Sequence, residues 1–337
     1  MASLRYLLMR LALAVPTLFG VAVITFIVLR VVPGDPIAMM TPPGATAADV
    51  ERLRALYGLD RDIASQFAIW LGDAVQGDFG TSISLRGNVL GLVMGALPAT
   101  LELCLIAMLM ALAAGGGLAV LGAYCRGPIE AAIDGAVAVI QAIPDFLWGL
   151  MLILATVLLA GTIDLPISMR VDPRLELDNA TQFLLIEHLL RGRFTVVGDL
   201  LAHLLLPAVA LALPLVAVIA RVLKGAILEA MAQDYVLLAR VKGHSRLAII
   251  VGQALRNALV PTVTLTGVQF TFLVGGTVLI EKIFSFPGIG GLAIDAVINR
   301  DLPLIQGLVL TFAALFILVN LAVDLSYALL NPRLRHG

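Results

Sequence analysis

Reactive side chains are sparse in this chain, and their spacing excludes most enzyme chemistry. Only three lysines occur, Lys224, Lys242 and Lys282. None sits in the G-K-[ST] context of a phosphate-binding loop, so the chain carries no ATP site of that kind. The four histidines are His188, His203, His244 and His336, and neither H-E-x-x-H nor G-x-S-x-G occurs. An intramembrane hydrolase is therefore poorly supported. His188 is read as one exposed polar side chain, because no second His or Cys stands at metal spacing. Cys104 and Cys125 form no disulfide framework and are structural thiols. No cofactor or metal is expected on the chain. Its basic residues are not interleaved with stacking aromatics, which argues against nucleic acid.

What stands out is acid in apolar surroundings: Glu102, Asp145 and Asp324 fall in or beside hydrophobic runs. None has an obvious membrane Arg or Lys partner in the sequence. An acid there is costly unless it is paired or lines a polar path. For Glu102 the path reading stands beside simple helix pairing. For Asp145 it stands beside capping of a helix interrupted at Pro144, where a kink is expected.

The elements that position these residues are membrane spans. The 337 residues are 60% hydrophobic and 13% charged, with mean hydropathy +1.02. A soluble domain is roughly half apolar and about a quarter charged. About 20 apolar residues cross a ~30 Å hydrocarbon core. Runs of that length are expected at Leu7–Val32, Leu97–Tyr124, Val139–Leu159, Leu204–Leu223, Leu259–Ile280 and Pro303–Leu330. The fold class is all-α, polytopic, with six spans. The first run is too long for a typical cleaved signal peptide, although basic residues precede it.

Residues 229–261 form a basic island between two of these runs. Residues 229–242 are good helix formers, and Gly243 stands where a helix terminus takes a left-handed residue. Ser245 is a plausible N-cap for a second helix. There Leu247, Ile250, Val251, Ala254, Leu255 and Ala258 fall on one stripe at helical period. The expected loop is two short helices broken at a glycine, one apolar face on the membrane domain and a polar face left for a partner. A short basic loop reads as cytoplasmic.

Here the chain resembles a family. Asp234-Tyr235, Ala239-Arg240, Lys242-Gly243 and Ala254-Leu255-Arg256-Asn257-Ala258, with Pro261 beyond, are similar to the "EAA" loop of binding-protein-dependent ABC importer permeases, in the peptide/nickel version. The wider EAA pattern carries a Glu six residues before the glycine, where this chain has Leu237. Further matches are Arg30 with Pro33-Gly34-Asp35-Pro36, Gly77-Asp78-Phe79-Gly80-Thr81-Ser82, Leu97-Pro98-Ala99-Thr100-Leu101-Glu102-Leu103 and Ile143-Pro144-Asp145-Phe146, where many members carry Ser in place of Asp. Glu281 to Gly290 resembles E-x-x-F-x-x-P-G-x-G, and Asn299-Arg300-Asp301 continues it. Asn320, Asp324 and Tyr327 come next, then Asn331-Pro332-Arg333.

The resemblance implies a permease of type I importer fold. Its expected parts are a first span (1–32), an outer cap (33–95) and a core (96–337) with a coupling loop at 225–260. The cap is either a docking surface for a substrate-binding protein or a structural plug. The loop, through Asp234, Tyr235, Leu237, Ala239, Arg240, Lys242, Gly243, His244 and Ser245, would dock on a separate ATPase. Pro144, Asp145, Phe284, Pro287 and Gly288 are candidate path or gate residues. The implied partners are a second, non-identical permease, two ATPase subunits that hold ATP and Mg, an extracytoplasmic binding protein and membrane lipid. The implied cargo is a dipeptide or oligopeptide, with nickel as the alternative. Both termini are expected in the cytoplasm of a bacterial inner-membrane protein. A secondary transporter or channel is the rival class. It calls for internal repeats, and none is clear.

Overall fold

The computed structural model describes residues 2–31, 46–56, 60–162, 164–175 and 177–330. The motifs at Pro33–Pro36 and Asn331–Arg333 lie outside these residues, and for Asp324 and Tyr327 only helical backbone is described. In chain order the helices are α1 (Ala2–Val31), α2 (Ala47–Leu56), α3 (Ile63–Val75), α4 (Val89–Tyr124), α5 (Pro128–Ala142), α6 (Asp145–Leu158), α7 (Leu184–Leu190) and α8 (Phe194–Met231). They continue as α9 (Asp234–Val241), α10 (Arg246–Ile249), α11 (Leu255–Ile283), α12 (Ile289–Ile298) and α13 (Leu302–Leu330). Among the described residues five helices are long and apolar enough to cross a membrane, and the bent pair α5–α6 makes a sixth span.

Four spans differ from expectation, the fifth among them, where the helix runs unbroken from Arg246 to Ile283. Helix α4 begins at Val89, because Asn88 caps it by accepting from the Gly91 N–H. Helix α8 begins at Phe194 and runs on to Met231. The expected span Val139–Leu159 is two helices bent by 100° at Ile143-Pro144. Pro144 does more than kink it. The chain leaves helical geometry at Ile143 and Pro144 and restarts at Asp145. The Trp148 indole donates to the Ile140 carbonyl across the break at 3.3 Å, which fixes the bend.

Helix α8 is the hub and packs on α4, α5, α6, α7 and α11. Its most apolar window is 67% buried, against 17% for α1 and 22% for α13 at the periphery. Alanines at 208, 210, 212, 217 and 220 are buried along it. Small residues let membrane helices approach closely, where dispersion contacts replace the hydrophobic drive. Gly115 on α4 completes the contact: a Cβ there would stand 2.9 Å from the Val216 carbonyl oxygen. At one end of α8, Lys224 pairs with Asp134 at 2.7 Å and Glu130 at 2.9 Å, clamping α5 to the hub.

The opposite end is closed by the segment between α6 and α8. Arg170, from that segment, pairs with Glu102 at 2.6 Å, and both are buried. The Leu185 N–H donates to the second Glu102 oxygen at 2.9 Å. Glu102 thus has an arginine partner, contrary to the expectation that it has none. The partner comes from a loop 68 positions away, so no helical spacing announces it. Expected to be exposed, His188 is buried instead, with Nε2 3.0 Å from the Asn179 side-chain oxygen. Beside it the Glu187 carboxylate accepts from the Thr181 hydroxyl and the Ala180 and Thr181 N–H groups. These bonds, with Arg191 nearby, hold Glu187 down to a pKa of about 2.

The stretch before α4 joins this end as well. Phe67 of α3 meets Phe26 of α1 edge-on and Trp70 lies tilted against it, with centroids 5.3 and 5.6 Å away.

Two outcomes are expected from this end of the bundle. Arg170→Met strands a buried carboxylate and lowers stability by about 3–5 kcal/mol, and adding Glu102→Gln, which keeps an acceptor for Leu185, restores most of it. Thermal unfolding of the detergent-solubilised protein measures both. Because the folded Glu187 pKa is depressed, its contribution is complete above its unfolded value and lost as pH falls toward about 2. Pepsin at pH 4 should therefore spare the 164–183 segment in the parent and cut it in Glu187→Gln.

Candidate functional site

Two clusters gather the residues that the sequence singles out. The first is the elbow made by α9 and α10. Gly243 has φ +81°, a conformation open to glycine without strain. The Gly243 N–H donates to the Arg240 carbonyl at 2.9 Å and the His244 N–H to that of Ala239 at 3.2 Å. That pair of bonds is a Schellman closure. Ser245 is extended and accepts from the Ala248 N–H, so it caps α10.

The elbow rests on the bundle through few side chains. Val236, Ala239 and Ile249 form one small buried cluster, and Ile250, Ala254 and Ala258 join a second with α4 and α8. The Asn257 amide donates to the Tyr235 hydroxyl at 2.8 Å, and Arg246 donates to the Ala123 carbonyl at the end of α4. The sequence singled out Tyr235 and Asn257 without linking them.

Two expectations are corrected here. The second loop helix and the fifth span are one continuous helix from Arg246 to Ile283. Within it, Ile250–Ala254 is a π-turn. A π-turn adds a residue per turn and shifts the phase of the helix beyond it. Ile249 and Ile250 are consequently both buried, while Leu247 and Val251 of the expected stripe are 47% and 51% exposed. The outward face is also less polar than expected. Leu237, Leu238 and Val241 are exposed on it, Val241 at 79%, beside the exposed Asp234, Arg240, Lys242 and His244.

The second cluster lies at the opposite end. Glu281 is fully buried at the close of α11. The Thr100 hydroxyl donates to it at 2.6 Å and the Gly291 N–H at 2.9 Å. Thr100 in turn accepts from the Ile289 N–H. The carboxylate thus sits over the first turn of α12, a favourable place for negative charge. Gly288 has no room for a Cβ against Glu281, and a Cβ on Gly290 would meet the Val278 Cα at 2.6 Å. Phe284 is buried, Gly288 is buried and Pro287 is exposed. The Met169 N–H donates to the Phe284 carbonyl, strapping the α6–α8 segment across the turn. Asp301 accepts from the Ser82 and Ser84 hydroxyls at 2.6 and 2.7 Å, and caps α13 through Leu304. Burial opposes ionisation of Asp301, but those hydrogen bonds outweigh it and hold its carboxyl below the usual range.

Asp145 belongs to neither cluster. It opens α6 at the break, half-buried. One carboxylate oxygen accepts from the Phe146 N–H at 2.7 Å. The other faces Gly276 of α11, where a Cβ would lie 3.4 Å away. Among the described residues no lysine, arginine or histidine pairs with it.

Comparison with known proteins matches the sequence almost from end to end. The family model described as binding-protein-dependent transport system inner membrane component covers residues 105–336, and its N-terminal companion covers 3–104. The di/tripeptide transport system permease protein DppB of Pseudomonas aeruginosa (strain UCBPP-PA14) is 40% identical over 99% of both chains. The dipeptide transport system permease protein DppB of Escherichia coli (strain K12) is 38% identical over 99% of both. The glutathione transport system permease protein GsiC of the same organism is 34% identical, again over 99% of both. A solved inward-facing MetNI methionine ABC transporter chain superposes with TM-score 0.55 at 16% identity, covering 72% of this chain and 97% of that one, which is a likeness of fold. The chain belongs to the family of binding-protein-dependent transport system inner membrane components.

Proposed function

We propose that this chain is one permease subunit of an ATP-driven importer that passes dipeptides or short oligopeptides across the bacterial inner membrane. The elbow is the observation that carries the coupling. It is a capped helix pair whose exposed side combines Leu237, Leu238 and Val241 with Arg240 and Lys242. An apolar patch rimmed by charge marks a protein contact. The missing Glu at position 237 puts a leucine where an ion pair would form, so docking on the ATPase rests on shape and apolar contact. The peptide cargo is supported by the relatives named for dipeptide and di/tripeptide transport.

In this reading ATP and Mg are held by two separate subunits, one on the elbow of each permease of an unlike pair. The elbow is cytoplasmic, with both termini on its side. The opposite end, strapped by Glu102, Glu281 and Asp301, receives a substrate-binding protein together with the cap. Pro144, Asp145, Phe284, Pro287 and Gly288 line or gate the path. Transport requires two bundle states that bind the nucleotide-loaded ATPase and the loaded binding protein differently.

The tests are co-purification and uptake. An ATPase chain should be retained with the tagged permease, and proteoliposomes of the complex should take up dipeptide only with ATP. Gly243→Pro, or Arg240→Glu with Lys242→Glu, should leave insertion intact and cut coupled uptake by about tenfold or more, as loss of an interface anchor does. Val241→Asp should weaken ATPase retention. Normal uptake in the Gly243 and charge-reversed variants, or labelling of residues 244 and 245 from outside the cell, overturns the coupling site.

A further inference from the structure

The break in the third span leaves a carboxylate on the proposed path with no ligand assigned to it. We propose that Asp145 is the acceptor, within the membrane, for the protonated amino terminus of a peptide in transit. The inference rests on the peptide-importer reading above.

Depth comes first. A Cβ on Gly149, one turn along α6 from Asp145, would meet Ile280 and Phe284 at the outer end of α11 and Ala210 of α8, so Asp145, beside Gly276, stands inward of that end. Lys224, which clamps α5 at the inner end, lies further along α8. The rise from Lys224 to Ala210 is about 21 Å. Asp145 therefore sits inside the ~30 Å hydrocarbon core rather than at its edge. It stands where the backbone at Ile143 and Pro144 has left the helix. Non-helical backbone at that depth persists only in protein or beside water.

Charge comes second. The other charged groups on the helices packed against α6 are toward the helix ends. They are Asp199 and His203 outside and Arg221, Lys224 and Glu229 inside on α8, with Arg256 inside and Glu281 and Lys282 outside on α11, Lys282 being paired with Asp295. Glu130 and Asp134 are engaged by Lys224, and Glu281 by Thr100 and Gly291. Asp145 alone combines depth, partial exposure and lack of a cation among the described residues. An ionised acid facing lipid is disfavoured, so its open side belongs to the bundle interior or a water-filled path. One oxygen is occupied by Phe146; the other, beside Gly276, is open to a ligand. The complement of a carboxylate there is an ammonium, and every unblocked peptide carries one at its leading or trailing end.

The test uses the assembled importer in proteoliposomes, with labelled Gly-Leu as the probe. Asp145→Asn should lower the maximal uptake rate about tenfold at pH 7, the loss of one charge-assisted contact. The concentration for half-maximal uptake should change little, because the binding protein sets it. Asp145→Glu should recover most of the rate. Above about pH 8 the peptide amino group loses its proton, so the gap between parent and Asp145→Asn should close there. The ratio between the two removes the pH response of the other subunits. Asp145→Ser, a smaller neutral side chain at the same first helical position, serves if Asp145→Asn fails to assemble. A neutral variant with the parent rate, or a deficit as large at pH 9 as at pH 7, or no recovery with Glu, overturns the assignment. If the parent complex itself takes up no peptide, the importer reading fails instead.

Discussion

A carboxylate buried among apolar helices has to be given donors, and one end of this bundle is built around that demand. Glu281 takes the Thr100 hydroxyl and the Gly291 N–H, Glu102 takes Arg170 and the Leu185 N–H, and Asp301 takes two serines. Most of these bonds join segments far apart in the chain. Together they fasten the α6–α8 segment, the turn before α12 and the approach to α4 into one lid. An unpaired buried charge costs several times what a formed hydrogen bond contributes. The lid is therefore held less by the strength of these bonds than by the expense of breaking any of them.

The other end obeys a different rule. Apart from the Arg246 and Asn257–Tyr235 hydrogen bonds, the elbow meets the bundle through small apolar clusters. Contacts of that kind shift by small steps without stranding a charge. The bundle is thus tied by buried charge at one end and by small apolar contacts at the other.

Much of this was legible in the chain. The apolar runs mark the spans, because hydrocarbon thickness sets their length. Gly243 and Ser245 mark the elbow, because left-handed geometry and capping are local properties of residue type. The partners of Glu102 and Lys224 were not legible, since an ion pair between distant positions has no periodic signature. The start at Val89 was missed although its first turns are apolar, because the signal there is the Asn88 cap, and the start at Phe194 because Asp199 and His203 interrupt the run. The stripe on the loop helix failed for a geometric reason: a 3.6-residue period was applied across a turn that does not have it. Tyr235 and Asn257 were each visible, but only the folded elbow joins them.

That wide turn also has a mechanical meaning. Ile249 is seated with the elbow and Ile250, its immediate neighbour, with the bundle. Adjacent side chains on one backbone cannot be rotated independently about a common axis. Torque applied at the elbow must unseat one isoleucine or carry both, so the joint is stiff in torsion. The joint acts as a keyed shaft, better suited to pushing the fifth span than to spinning it.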